Sequence, residues 1–285
     1  MHIYLSGSSG LVGSALTTKL EADGHQVTPL GRDFSSPISF LGVDAVIHLA
    51  GENIAEGRWN KRKKARIRDS RVINTRQLCE RIAQSPDKPS IFISASATGF
   101  YGDRADEQLS ENSLPGEGFL PEVCQEWEQA TEPLANLPIR VAHIRTGIVL
   151  SRKGGALKKM LPPFLFGGGG ILGSGDQYMS WISLEDEIRA ISYVLQHENL
   201  QGAINLTAPE PVDNHEFTKI LGHVLKRPTI APLPAPIARI LFGEMADAIL
   251  LSGSRVFPKK LLSAGFTFAH PELEIALRSV LKKNN

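Results

Sequence analysis

The chain has 285 residues, enough for one large domain with a smaller companion. Hydrophobic residues at 42% and charged residues at 21% fit a globular protein with a packed core, and a formal net charge of +1 offers no global field to gather nucleic acid or a membrane. The two cysteines, Cys79 and Cys124, stand far apart, which excludes a disulfide framework and a paired-cysteine metal site.

Short apolar runs at 3–6, 26–30, 45–49, 91–94, 139–144 and 203–206 predict buried strands. Amphipathic stretches near 11–23, 60–84, 120–135, 185–197 and 214–225 predict the helices between them. Strand-helix alternation of this kind predicts an α/β fold, a Rossmann doubly wound parallel sheet covered on both faces. Pro29 is placed at the last turn of the second strand, because proline cannot donate to a ladder. The glycine-rich stretch 167–175 reads either as a mobile flap over a substrate or as a linker. Pro228, Pro232, Pro234 and Pro236 mark a boundary. The expected organisation is a first domain over 1–230, with a substrate-loop insertion near 151–180, and a small, mainly helical C-terminal domain over 231–285. Helices are expected there near 237–251, 259–264 and 271–281. The first residues lack the features of a leader peptide, and no run approaches the ~20 apolar residues of a membrane span. The cytoplasm is the expected location.

Gly7-Ser8-Ser9-Gly10-Leu11-Val12-Gly13 follows the first strand and opens the first helix. A strand ending in a glycine turn directs backbone N–H groups and the positive helix end at one spot, which suits a pyrophosphate. Gly7 permits the turn, Gly10 admits a ligand close to the backbone, and Gly13 lets helix and strand approach. The expected ligand is a nicotinamide dinucleotide. After the second strand stand Arg32 and Asp33. A fixed guanidinium at Arg32 suits a 2′-phosphate and favours NADP, whereas an acid in this region is the mark of an NAD site.

Three strings carry a family resemblance: the 7–13 loop, His48-Leu49-Ala50-Gly51, and Ser94-Ala95-Ser96-Ala97-Thr98-Gly99-Phe100-Tyr101-Gly102. They resemble the extended short-chain dehydrogenase/reductases, a group that includes sugar-nucleotide epimerases and dehydratases. Leu49-Ala50-Gly51-Glu52-Asn53-Ile54, Arg58-Trp59-Asn60, Trp127-Glu128, Arg145-Thr146-Gly147-Ile148-Val149-Leu150 and Trp181-Ile182 are similar to an atypical branch. That branch comprises the epimerase-family proteins labelled cell-division-inhibitor-like, and Gly253-Ser254-Arg255-Val256 with Ala264-Gly265-Phe266 resembles its C-terminal domain of unknown function. The resemblance implies cofactor contacts at Gly7, Gly10, Leu11, Val12, Gly13, Arg32, Leu49, Ala50, Gly51 and Ser94, with Thr146, Gly147 and Ile148 beside the nicotinamide. It also places Arg71 where extended members carry an asparagine that approaches the cofactor. A cation there would reach the pyrophosphate, or else lie on a solvated helix face.

Catalytic members of that group use a serine and a Tyr-x-x-x-Lys pair, the lysine lowering the tyrosine pKa. In this chain Leu120 and Cys124 fall in the tyrosine and lysine registers, and neither can do that work. Ser96 and Tyr101 remain as candidate catalytic residues. Tyr101 needs a cation beside it to act as a base, with Arg71 and Arg145 as candidates; otherwise it packs its ring and donates a structural hydrogen bond.

Nine basic residues lie between Arg58 and Arg76, facing only Asp69, while residues 103–132 hold nine acids against Arg104. Such stretches are expected to form solvated faces or to pair, and no nucleic-acid motif accompanies them. Glu185 and Asp186 are expected to favour a helix N-terminus. The histidines show no metal-ligand spacing, so no metal is expected. Two functional readings stand. One is an NADP-dependent oxidoreductase or epimerase acting on a small polar substrate, without nucleic-acid or membrane partners, as monomer or homodimer. The other is a catalytically degenerate NADP-sensing or partner-binding regulator.

Overall fold

The computed structural model of the chain describes residues 1–31, 33–34 and 38–282. β1 (His2–Ser6) leads into α1 (Leu11–Ala22), then β2 (Gln26–Leu30), β3 (Ala45–His48), α2 (Lys61–Gln84) and β4 (Ile91–Ala97). Next come β5 (Gln108–Leu109), α3 (Phe119–Gln129), β6 (Arg140–Thr146), β7 (Ile148–Leu150) and α4 (Gly155–Leu165). β8 (Tyr178–Met179), β9 (Trp181–Ser183), α5 (Leu184–Gln196), β10 (Gly202–Leu206), β11 (Val212–Asp213) and α6 (Asn214–Leu225) follow. The last part holds α7 (Ala235–Phe242), β12 (Arg255–Val256), α8 (Lys259–Ser263) and α9 (Leu273–Leu281).

Among the described residues six strands form one parallel sheet in the order β10-β6-β4-β3-β1-β2. All six expected strands lie in it. The chain runs from β1 out to β2 and then back across β1 to β3, so a crevice opens at the carboxyl ends of β1 and β3. Alternation sorts the side chains. Ile3, Leu5, Ala45, Ile47, Ile91, Ile93, Ala142 and Ile144 pack against Leu16 and Leu20 of α1 and Ala190, Ile191 and Val194 of α5. On the other face Val46 and Phe92 meet Leu78, Cys79 and Ile82 of α2. Pro29 is tolerated because β2 is an edge strand, with β1 on one side only.

Side chains fix the helix ends where the sequence offers them. Asn60 accepts from Lys63 N at 2.8 Å, Ser183 from Asp186 N at 3.0 Å and Asp213 from Glu216 N at 2.8 Å. The Arg140 guanidinium takes the carbonyls of Val194, Leu195 and Leu200, closing the far end of α5. The helix expected over 120–135 stops earlier. α3 ends at Gln129 and a 3-10 turn occupies Glu132–Leu134, where Pro133 has no N–H to continue an α-helix. Likewise the stretch expected over 237–251 breaks after Phe242 at Gly243, whose φ of 62° leaves the helical region, and resumes as a π turn over Ala246–Leu250. α4 was not expected, since Pro162 and Pro163 lie inside it.

The 167–175 stretch is tied down along its length. Gly173 N donates to Leu233 O, Leu233 N to Ile171 O, and Ala231 N to Gly169 O, with Leu172 N held by Asn214 Oδ1. It forms one edge of a pairing with 231–233. The C-terminal residues share the cores of the rest of the chain. Leu261 and Phe266 join the cluster of Ile3 and Leu5, while Leu273, Ala276 and Leu277 pack with Trp181 and Phe217. No helix of the described residues is long and apolar enough to cross a membrane.

Candidate functional site

The turn between β1 and α1 is built by backbone packed on backbone. Gly7 has φ +75°, and a Cβ there would lie 2.9 Å from Ala50 N and Leu49 C. A Cβ on Gly13 would lie 2.1 Å from Gly7 O, so the first turn of α1 rests directly on the loop. Gly10 forms the N-cap in extended geometry, no side chain caps the helix, and its first turn carries no acid. The amides opening α1, at Leu11, Val12 and Gly13, therefore face outward with the positive helix end. The side chain of Leu11 lies beside Gly154 at the start of α4, where a Cβ would touch it at 3.4 Å.

Across the crevice Leu49, Ala50 and Gly51 follow β3. The amide of Leu49 is taken by Ser6 O at 3.1 Å. Gly51 faces the Arg71 guanidinium, which a Cβ on Gly51 would meet at 3.2 Å. Arg71 stacks at 5.1 Å over the Trp127 ring and donates to Ile67 O at 3.0 Å. No described carboxylate pairs with it. Burial pulls its pKa below the usual arginine value, opposed by the charge interactions with Cys124 and Glu52. Arg71 is thus a half-buried cation at the crevice, its guanidinium held between Gly51 and the Trp127 ring. Arg32, the expected clamp for a 2′-phosphate, lies outside the described residues. Beneath the loop, His48 Nδ1 meets Ser6 Oγ at 2.5 Å while Nε2 has no partner, and burial pushes the imidazole pKa down to about 4.

A second cluster lies at the carboxyl ends of β4 and β6. Ser94 is buried, and Ser96 Oγ donates to Glu128 Oε1 at 2.7 Å. Arg145 holds both Glu128 oxygens, Nε on Oε1 and Nη2 on Oε2, each at 2.8 Å. Its guanidinium lies 3.4 Å from the Phe100 ring centroid and donates to the Tyr101 hydroxyl at 3.0 Å. Tyr101 in turn donates to Asn205 Oδ1 at 2.7 Å. Its side chain is 0% exposed, and burial raises its pKa although Arg145 and both hydrogen bonds pull the other way. The cation beside Tyr101 is Arg145, yet the phenol stays protonated and enclosed. The Tyr101 hydroxyl is thus enclosed, with Arg145 donating to it and Asn205 accepting from it, an arrangement that matches the structural alternative for this residue. Burial also pushes the Cys124 thiol up to about 12. Gly99 is packed beside Leu120 and Cys124, the two residues in the tyrosine and lysine registers.

Thr146, Gly147 and Ile148 leave β6 next to this cluster. The Gly147 amide donates to Leu206 O at 3.0 Å and the Ile148 amide to Ser180 O at 2.7 Å, so neither N–H is open to a ligand. A Cβ on Gly147 would lie 2.3 Å from Ser180 O. Thr146 Oγ1 and Glu187 Oε1 share a hydrogen bond at 2.8 Å.

Sequence reasoning missed Glu128, Glu187 and Asp186 as organisers. Glu128 stands one turn beyond Cys124 on α3, a spacing that would have placed it on the same face. Asp186 does more than favour a helix end: it accepts from Ala269 N at 2.7 Å and His270 N at 2.8 Å, anchoring the C-terminal segment. Part of the basic stretch is paired, and two of those pairs reach the acidic stretch. Lys63 meets Glu52, Lys64 meets Glu244, Arg68 meets Glu126 and Arg76 meets Glu132.

The sequence profile of the NAD dependent epimerase/dehydratase family matches residues 3–119, and that of a domain of unknown function (DUF1731) matches residues 233–280. An epimerase family protein of Mycobacterium bovis is 44% identical over 96% of this chain and 96% of its own. The chain belongs to the epimerase family. Within that epimerase family, the crystal structure of human SDR39U1 (isoform 2) with NADPH superposes at a TM-score of 0.93, with 32% identity over 98% of this chain and 99% of that one. A Bacillus cereus UDP-glucuronic acid 4-epimerase in complex with NAD has a TM-score of 0.78 at 18% identity, covering 98% of this chain and 96% of that one. That likeness is one of fold.

Proposed function

We propose that this chain binds NADP(H) between the 7–13 loop and the 49–51 turn, and acts as an oxidoreductase or epimerase on a small polar carbonyl or alcohol. One observation carries the reading. Arg71 is a half-buried guanidinium that pairs with no described carboxylate, set beside Gly51 across from the uncapped start of α1. Burying a cation without a counter-charge is unfavourable, and a diphosphate supplies that charge. The NADPH carried by the human relative supports NADP over NAD as the cofactor. Residues 1–230 are assigned to the dinucleotide, and 231–285 to a wall of the substrate site.

When bound, the nicotinamide supplies hydride exchange with carbon. The protein's own task is the proton. Ser96 Oγ takes the proton of a substrate hydroxyl as it passes its own to Glu128 Oε1, and Arg145 fixes that acceptor with two hydrogen bonds. Tyr101 acts through Arg145, holding its third nitrogen.

Calorimetry with NADPH and NADH tests the cofactor assignment; no heat with either would overturn it. Single-turnover oxidation of bound NADPH by a panel of aldehydes, ketones and nucleotide sugars tests the chemistry. Substrate-dependent loss of absorbance, abolished by Ser96→Ala, is expected. The second reading, a regulator that keeps its cofactor without turnover, draws on Leu120 and Cys124 in the tyrosine and lysine registers. NADPH binding with no oxidation across the panel favours it.

A further inference from the structure

Glu187 lies in the first turn of α5, and its carboxyl is 1% exposed. Its neighbours one turn on, Ala190 and Ile191, belong to the apolar core beneath the sheet. Only one oxygen is engaged: Oε1 lies in a hydrogen bond with Thr146 Oγ1 at 2.8 Å, while Oε2 is buried without a partner. Among the described residues no charged group pairs with it. β7 and β9, packed on α5, carry no ionisable side chain. On β6, Arg140 is spent on the far end of α5, and His143 and Arg145 bond to Thr131 and Glu128 instead. On α1, Lys19 pairs with Asp23. On α5 itself Arg189 bonds to Asp186, and the His270 imidazole sits beside Ser183 and Glu185.

We infer that Glu187 is a positioning residue for the nicotinamide end of the cofactor: as a neutral acid it donates to Thr146 and turns the Thr146 hydroxyl proton outward, toward the ligand. The inference rests on the reading that Thr146 borders the nicotinamide. The hydrogen-bond inventory explains why. A neutral carboxyl with its proton on Oε1 leaves Oε2 as a bare carbonyl oxygen, which is cheaper to bury unpaired than an O–H or a charge. Thr146 Oγ1 then accepts from Glu187, and its own proton is free to reach a carboxamide oxygen. Ionisation reverses this, because Thr146 must donate to the carboxylate and can only accept from a ligand. Burial pushes the Glu187 carboxyl up to about 8, which sets the pH at which the reversal occurs.

The test is NADPH affinity by calorimetry from pH 7 to 9.5 for the wild type, Glu187→Gln and Thr146→Val. The glutamine amide donates as the neutral acid does and cannot ionise. The wild-type Kd should rise about tenfold across that range, while Glu187→Gln should vary by less than about twofold and match the wild type at pH 7. Thr146→Val should be weaker at pH 7 and lose the slope. Equal slopes in all three proteins overturn the inference. So does a wild-type melting temperature that shifts with pH while NADPH affinity stays flat, the signature of a purely structural acid. Absence of NADPH binding at pH 7 in the wild type is a different failure, that of the dinucleotide reading.

Discussion

The indole nitrogen of Trp127 donates to Thr75 Oγ1 at 3.0 Å, and the same ring carries the Arg71 guanidinium 5.1 Å from it. One hydrogen bond between α3 and α2 therefore sets the platform on which the cation of the crevice rests. Arg71 lies between this ring and Gly51.

Arg71→Leu should weaken NADPH binding by ~10- to 100-fold, the value of one or two charge-assisted hydrogen bonds. The melting temperature should hold or rise, since a half-buried cation with no paired carboxylate is removed. Calorimetry beside thermal melts checks both, and unchanged affinity would remove Arg71 from the site. Trp127→Phe keeps the ring but loses the bond to Thr75, and should show a smaller loss of affinity.

Gly13→Ala forces a methyl to within 2.1 Å of Gly7 O. Backbone cannot yield as a flexible side chain would, so the substitution should separate loop from helix. Loss of nucleotide binding and destabilisation of ~1–3 kcal/mol are expected, read by calorimetry and urea unfolding.

Arg145 and Glu128 have side chains 5% and 13% exposed. Removing one member leaves the other charged and enclosed, so Arg145→Leu should lower unfolding free energy by ~3–5 kcal/mol in urea titrations. Tyr101→Phe removes the hydroxyl but leaves the pair, and should be milder, by ~1–2 kcal/mol. Turnover in Tyr101→Phe should persist with any substrate found. Its complete loss would return Tyr101 to the catalytic group.

Stability should be greatest between about pH 4.5 and 6.5, where two buried groups act in opposite directions, and decline on either side of that window. His48 titrates near 4 when folded and near 6.5 when unfolded, so the unfolded chain binds the extra proton first. Stability from this group is complete above pH 6.5 and is lost as pH falls toward 4, by up to ~3 kcal/mol. Glu187 acts in the opposite direction. Its folded pKa of about 8 exceeds the ordinary value near 4.5, so stability falls as pH rises through that interval. Unfolding at fixed pH for His48→Gln and Glu187→Gln should flatten the acid and alkaline limbs respectively.

How much of this was legible in the sequence depended on range. The strands of the sheet were read from local apolar runs, and α1 and α6 from periodicity, because each signal is complete within a dozen residues. The 7–13 loop was legible for the same reason: its turn chemistry is contiguous. The pairing of Glu128 with Arg145, of Glu187 with Thr146 and of Asp186 with residues 269–270 was hidden. Each links segments between 17 and 84 residues apart, and an acid on a helix face looks alike in sequence whether it meets water or a buried arginine. The short pairings β7 with β9 and β5 with β12 escaped because two- and three-residue strands carry no period.

Leu261 and Phe266 fill the same cluster as Ile3 and Leu5, and Asp186 waits for the amides of residues 269–270. During synthesis, then, the first sheet strands leave the ribosome long before the residues that seal their underside. Nascent chains stalled with residue 255 at the tunnel exit should remain sensitive to protease along α5, and should become resistant once about 20 further residues have emerged.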